Sequence, residues 1–355
     1  MNKAREFHDG RHDGLTALES LDLDQVKSFA DLLRGMARTA FSGRSLGEAL
    51  DVTLAMVRDR ECKVVLTLSG AMTIAKMGKV ISKMIEAGMV QAVVSTGALM
   101  AHGLSEAVGM VHYRHDPRMS DEELFDKGYN RVYDTLEMEA NLNYVEEFTG
   151  RALDALGEQE LLSSEIICCA LGKVLSEDAQ GGGVLRTAYA KNVPVYVPAF
   201  TDSELGLDLS TWAMKRAQGR GVKGQEALFG SLPRYNPYLD LNSFARFCLS
   251  AKRLGIFTIG GGVPRNWAQE VAPYIDITNH RLGLAMQPPR YQYAVRICPE
   301  PVHWGGLSGC TYSEGVSWGK FVPPAEGGRY AEVYADATTV WPLLIKGVLE
   351  ELGDP

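Results

Sequence analysis

The stretch "SGCTYSEGVSWGKF", Ser308 to Phe321, holds one amine and one carboxylate, Lys320 and Glu314, among small and aromatic residues. An amine is nucleophilic only when unprotonated, and a lysine in water is almost wholly protonated at neutral pH. Burial among apolar groups disfavours the charged form, and a lysine freed in that way forms imines with carbonyl or imine carbons. Trp318, Phe321, Val316 and Val322 would supply such surroundings, Gly319 leaves room beside the amine, and Glu314 could hold or relay a proton. By themselves these residues favour a plainer arrangement, in which the lysine lies on an apolar loop and snorkels its charge to solvent.

Other candidate chemistry is less complete. His112 and His115 with Asp116, and His8 and His12 with Asp9 and Asp13, are short of the three or four supported ligands that a zinc site needs. The six cysteines show no metal-ligand spacing, and Cys168-Cys169 in "IICCALG" reads as a pair of buried thiols in a reducing compartment. No G-x-S-x-G elbow, P-loop or G-x-G-x-x-G fingerprint is present, which disfavours a serine hydrolase, a P-loop kinase and the ordinary dinucleotide motif.

Short apolar runs alternate with longer helical stretches and would position such a site. "KVVLTLSG" (63–70) is followed by "AMTIAKMGKVISKMIEAGM" (71–89), where Ile74, Met77, Val80, Ile81 and Ile85 recur at helical spacing. Further runs lie at 91–98, 193–200, 255–262, 293–298 and 331–340. Continuous apolar strands interleaved with helices predict a doubly wound, mostly parallel α/β sheet with helices on both faces. Several runs end in small or acidic residues: Ser69-Gly70, Ser95-Thr96-Gly97, Thr201-Asp202, the triplet from Gly260 to Gly262, and Asp336-Ala337. Ligands of open α/β sheets bind beyond the carboxyl ends of strands, and helix N-termini there offer N–H donors to phosphate. Strand-to-helix turns also need Gly and Ser for caps alone; five such turns together point to a nucleotide-type ligand. The second Gly triplet, in "EDAQGGGVLRTAYAKN", precedes a helix with no strand before it and reads as a loop. Residues 1–45 read as a helical extension and 46–355 as one domain.

A formal net charge of -8 argues against a nucleic-acid partner. No run of about 18 apolar residues exists to cross a membrane, and the polar start "MNKAREFHDGRHDG" lacks the apolar core of a signal peptide. A cytoplasmic protein is expected.

"SEGVSWGK" resembles the active-site loop of deoxyhypusine synthase, whose signature reads Asp-Glu-Ala-Val-Ser-Trp-Gly-Lys. "VVSTGALMAHGL", "VPAFTDSELG", "GIFTIGGGVP" and "VYADATTVWPLL" are similar to that family's glycine turn, Thr-Asp-Gly-Ser segment, Gly-Gly-Gly-Val turn and Tyr-Ala-Asp-Ala segment, in the family's order over roughly residues 60–345. The resemblance implies a Rossmann-like sheet, NAD as a recycled cofactor, and a homotetramer with sites at dimer interfaces. It implies 4-aminobutyl transfer through an imine on the active-site lysine. Carried over, Lys320, Glu314 and Trp318 are the catalytic residues, with Ser308 in the same loop. Ser69, Ser95, Thr96, Asp202, Gly261, Gly262, Asp336 and Ala337 stand at cofactor positions, the two aspartates facing ribose hydroxyls.

The amine side departs from the family. Trp304 and Leu307 replace two aspartates, Asn266 replaces a histidine, Glu270 an asparagine, and Ala101-His102 an acidic pair. Leu207 stands for a further aspartate, with Asp208 or Glu204 as substitutes. Each buried amine wants a charge-assisted partner worth about 1.5–3 kcal/mol, so spermidine is not expected to be gripped as in the true synthase. The resemblance is therefore to the deoxyhypusine synthase-like branch, with small-amine transferases of the homospermidine synthase type; Ser308, Trp304, Asn266 and Asp208 are the expected substrate contacts. A genuine deoxyhypusine synthase acting on a translation-factor lysine, a non-catalytic NAD-binding relative, and a net oxidoreductase that releases NADH are the alternatives.

Overall fold

The computed structural model describes residues 7–157, 160–177 and 182–353. Nine strands among them form two sheets: β1 Cys62–Leu68, β2 Ala92–Ser95, β3 Tyr113–Arg114, β4 Tyr129–Val132, β5 Thr135–Met138, β6 Val195–Tyr196, β7 Arg253–Ile259, β8 Tyr291–Ile297 and β9 Arg329–Val333. The larger sheet is wholly parallel, in the order β6-β2-β1-β7-β8-β9, and each of its strands comes from one of the six apolar runs. The run at 193–200 yields only two paired residues, at the sheet's edge. The antiparallel trio β3-β5-β4 has strands of two to four residues, too short for periodicity to reveal.

Burial on both faces explains why the central strands β1, β2 and β7 read as mostly apolar runs. On β1, Val64, Leu66 and Leu68 join one core and Val65 the other, while Thr67 donates to Thr258 on β7 at 2.9 Å. Helices Phe29–Ala37, Phe41–Arg58 and Ala337–Leu352 pack together against the first face. The first of these is capped by Ser28, whose hydroxyl accepts from Asp31 N–H at 3.0 Å. Its Ala30 N–H donates to the Glu350 carboxylate at 3.0 Å, and a Cβ on Gly347 would come within 2.7 Å of Leu33. The expected boundary between residues 45 and 46 falls inside the helix Phe41–Arg58, and of the described residues before Phe29 only Leu23–Gln25 form a helical turn.

Two local expectations change. Regular helix after β1 begins at Gly78, because Lys76 takes a φ of 63° and breaks the turn before it. Cys168 is buried but Cys169 is exposed; on the helix Ser164–Glu177 adjacent positions are about 100° apart, so only one faces the core. A helix starts at Gly183, the last residue of the second Gly triplet; Gly181 lies outside the described residues. No helix among the described residues is long and apolar enough to cross a membrane.

Candidate active site

The chain runs outward from β1 to β2 and β6, then returns with β7 on the other side of β1 and continues to β8 and β9. The order therefore reverses between β1 and β7, the place where open α/β sheets hold nucleotides. Ser69, just past β1, and the glycine triplet, just past β7, meet across that point. Gly261 N–H donates to Ser69 Oγ at 2.8 Å, and Gly262 N–H to Ser308 Oγ at 3.0 Å. A Cβ on Gly261 would lie 2.6 Å from Ser308 Cα, so only glycine lets the loop close here. Gly262 has a φ of 55°, with open space where a side chain would stand. Ser95 is buried, its hydroxyl donating to Thr96 C=O at 3.0 Å, and the helix Gly97–Ala107 starts immediately after.

This edge fits a dinucleotide. A glycine turn approaches without side chains, hydroxyls flank it, and the helices Gly97–Ala107 and Gly262–Gln269 aim their N-termini at the same edge. Asp202 and Asp336 are both exposed at strand ends. Asp336 caps the final helix, its Oδ1 accepting from Thr338 N–H at 2.9 Å, with buried Ala337 beginning that helix. The two acids follow β6 and β9, at opposite edges of the sheet. At about 4.8 Å per strand step they are separated by roughly 24 Å, so a single chain does not bring both to one ribose.

Lys320 is built into the other half of the edge. Thr311 caps the short helix Tyr312–Ser317, accepting from Glu314 N–H at 3.1 Å. Gly319, with a φ of 69°, then reverses the chain, and Lys320 N–H donates back to Gly315 C=O at 3.0 Å. On the far side Tyr291 N–H donates to Lys320 C=O at 3.0 Å, so β8 anchors the lysine's backbone. Phe321 is fully buried against Tyr291, Tyr312 and Tyr330. From the other side Arg296 on β8, also buried, donates to Ser308 C=O at 2.5 Å and Cys310 C=O at 2.9 Å and pairs with Glu332 at 3.1 Å.

Only 8% of Lys320 is exposed, so it does not snorkel. Its Nζ meets polar partners rather than apolar walls alone: Glu270 Oε1 at 2.8 Å and Asn266 Oδ1 at 3.2 Å. Asn266 and Glu270 are four residues apart along and just past the helix Gly262–Gln269, so one turn presents both to the amine. Trp318 holds its ring 5.8 Å from Nζ and is itself 65% exposed. These residues line a cleft of about 260 Å³ with Glu314, Cys310, Leu307 and Val302. Glu314, the expected proton partner, shares the cleft but makes no ion pair with Lys320 among the described residues. Burial raises the Cys310 thiol pKa, and the neighbouring Glu314 carboxylate raises it further. Trp304 lies 71% exposed on the turn Val302–Trp304 at the cleft's edge, outside its lining. Ser308 faces the glycine triplet rather than the cleft.

Asp208 is elsewhere. It sits on the helix Glu204–Gly219 that follows β6, and it does not line the cleft. Glu204 Oε2 is buried without a hydrogen-bond partner among the described residues, and the Asp208 carboxyl is buried beside the Thr149 hydroxyl. Burial, then the nearby Glu146 charge, pushes the Asp208 carboxyl up to about 7. Behind the Thr96 turn, Glu137 on β5 is held between His102 and His112, and Lys76 donates to His112 Nδ1 at 2.7 Å. Burial alone would raise the Glu137 carboxyl, but the histidine hydrogen bonds prevail and hold it at about 2. His112 is thus engaged by Lys76 and Glu137.

Sequence reasoning named the lysine, its loop and the turns that meet at the switch point. It treated Glu270 only as a departure from a family pattern and did not single out Arg296. The available signal for Glu270 was its spacing of four from Asn266; nothing local marked Arg296.

With this geometry in hand, the family model described as deoxyhypusine synthase matches residues 31–348. A relative from Methanosarcina mazei named "Probable deoxyhypusine synthase 2" is 31% identical over 341 residues, covering 96% of this chain and 92% of its own. One of the same name from Methanosarcina acetivorans is 33% identical, covering 92% and 88%. Among solved structures, that of a candidate deoxyhypusine synthase from Entamoeba histolytica aligns with a TM-score of 0.57 at 14% identity, covering 93% of this chain and 96% of that one. The chain belongs to the deoxyhypusine synthase family, NAD-dependent transferases of aminobutyl groups.

Proposed function

We propose that this protein moves an aminoalkyl group between small amines, Lys320 carrying the group as an imine. The observation that carries this reading is a buried lysine at the carboxyl edge of the sheet, facing a cleft beside a glycine cradle suited to NAD. Bound NAD supplies hydride acceptance from the donor amine and hydride return to the product. Ser69, Ser95, Thr96, Gly261 and Gly262 would hold it on the switch-point side, with Asp202 and Asp336 of different protomers facing ribose hydroxyls. Lys320 adds to the oxidised amine carbon, Trp318 closes the cleft over the cation, and Asn266 orients the amine.

Small acceptors are favoured because the cleft is modest and its rim is Val302, Leu307 and Trp304 where a polyamine site wants carboxylates. The buried carboxyls of Asp208 and Glu204 suit an ammonium group. Their place after β6, three strand steps or roughly 14 Å from β7, supports a site completed by a second protomer, in a homotetramer with sites at dimer interfaces. Its expected compartment is the cytoplasm. A second reading, transfer to a protein lysine, is favoured by the names of the two Methanosarcina relatives.

Incubating the protein and NAD with putrescine, spermidine, agmatine, ornithine or arginine, and separately with a purified translation factor and spermidine, decides between them by mass spectrometry. New small secondary amines support the first reading. Modified factor with no small-amine product replaces it with the second.

A further inference from the structure

Glu270 is the carboxylate that meets the Lys320 amine, at 2.8 Å, while Glu314 lies in the same cleft without pairing to it. The Glu270 side chain is 45% exposed, so it touches both the buried amine and the space a substrate would enter. An ion pair at rest holds the proton on lysine, which makes the amine a poor nucleophile until the proton is taken away. The group within hydrogen-bond reach of that proton is the candidate base.

We propose that Glu270 is the catalytic base of Lys320, an inference that rests on reading Lys320 as the imine-forming amine. The Glu270 carboxylate takes one proton from the Lys320 ammonium. The freed Nζ lone pair adds to the carbon of the oxidised donor's protonated imine, forming the new C–N bond while the C=N π pair returns to the donor nitrogen. A second Nζ proton passes through the same carboxyl group to the leaving nitrogen, whose C–N bond breaks with its electron pair departing on the amine. The released amine takes the first proton and leaves as an ammonium, which restores the carboxylate. One ammonium is consumed and one is formed, with no further oxidant. Asn266, with no proton to exchange, keeps Nζ in line through its carbonyl oxygen at 3.2 Å.

The test compares wild type, Glu270→Gln, Glu270→Asp and Glu314→Gln, each loaded with NAD and the donor amine identified by the product panel. Single-turnover formation of the borohydride-trapped Lys320 adduct is followed from pH 6 to pH 9, and NAD binding confirms that each variant is folded. Expected is a fall of about 100-fold or more for Glu270→Gln at neutral pH, with a rate that climbs steadily with pH where wild type levels off. Glu270→Asp recovers part of the rate, and Glu314→Gln loses less than Glu270→Gln. A merely ion-pairing Glu270 gives the opposite sign, because losing the carboxylate frees the amine and the adduct forms at least as fast. That outcome, or a larger loss for Glu314→Gln, overturns the inference while leaving the Lys320 imine intact. A wild-type protein that turns over with no adduct on Lys320 overturns both.

Discussion

The glycine cradle between β1 and β7 and the cleft around Lys320 share one edge of one sheet, yet they are built from different parts. The cradle is backbone: N–H groups of Gly261 and Gly262, two serine hydroxyls, and a contact only glycine permits. The cleft is side chains: a lysine, a glutamate and an asparagine that meet across about fifty residues of sequence. A backbone cradle changes little without collapsing, whereas exchanging a few side chains respecifies a cleft on the same scaffold. This matches the expectation from the sequence that the strand-end turns resemble the family's cofactor residues while the proposed amine side departs from its pattern.

The comparison is sharpest at Gly261. Gly261→Ala places a methyl against Ser308 Cα and drives the loop off the triplet; NAD affinity is expected to fall by about 10- to 100-fold, on the scale of 1.4 kcal/mol per tenfold, read by calorimetric titration. Wild-type affinity in this variant would mean that the cradle is not where NAD sits.

Glu137 probes the support behind the Thr96 turn and is expected to matter less. Its folded pKa of about 2 lies below the usual 4.5, so its stabilisation is present above that value and is lost as pH falls toward 2. His102 is raised above 6.5 by Glu137 against the opposing effect of burial, so its contribution is present below 6.5 and is lost as pH rises through its folded value. The pair therefore contributes most between about pH 4.5 and 6.5. Glu137→Gln should cost about 2 kcal/mol in denaturant unfolding at a pH inside that window and less above it, with NAD affinity nearly unchanged. A large loss of NAD affinity would make this side-chain cluster part of the cofactor site and weaken the contrast between cradle and cleft.

The same contrast decides what the sequence revealed. β1, β2 and β7 are mostly apolar runs, β8 and β9 keep an apolar run broken by Arg296 and Glu332, and the cradle's turns are contiguous small residues, so these are largely written locally. The helical period beginning at Ile74 misled by one turn because a positive φ at Lys76 leaves no trace in hydropathy. Lys320 was legible through its odd neighbours and its loop, but its partner was not. Glu270 reaches the amine only because the helix after β7 and the loop after β8 are brought side by side by strand order, which no local pattern encodes. Arg296 is hidden for a related reason: inside an apolar run it reads as an interruption, and only tertiary structure supplies the carbonyls and Glu332 that satisfy it.

In the proposed reaction Lys320 carries the transferred group. Its most direct measurement is borohydride reduction of the protein during turnover with NAD and a donor amine, followed by peptide mass spectrometry. One aminoalkyl adduct is expected, on Lys320, absent from Lys320→Arg together with turnover. An adduct on another residue, or full turnover in Lys320→Arg, would contradict it.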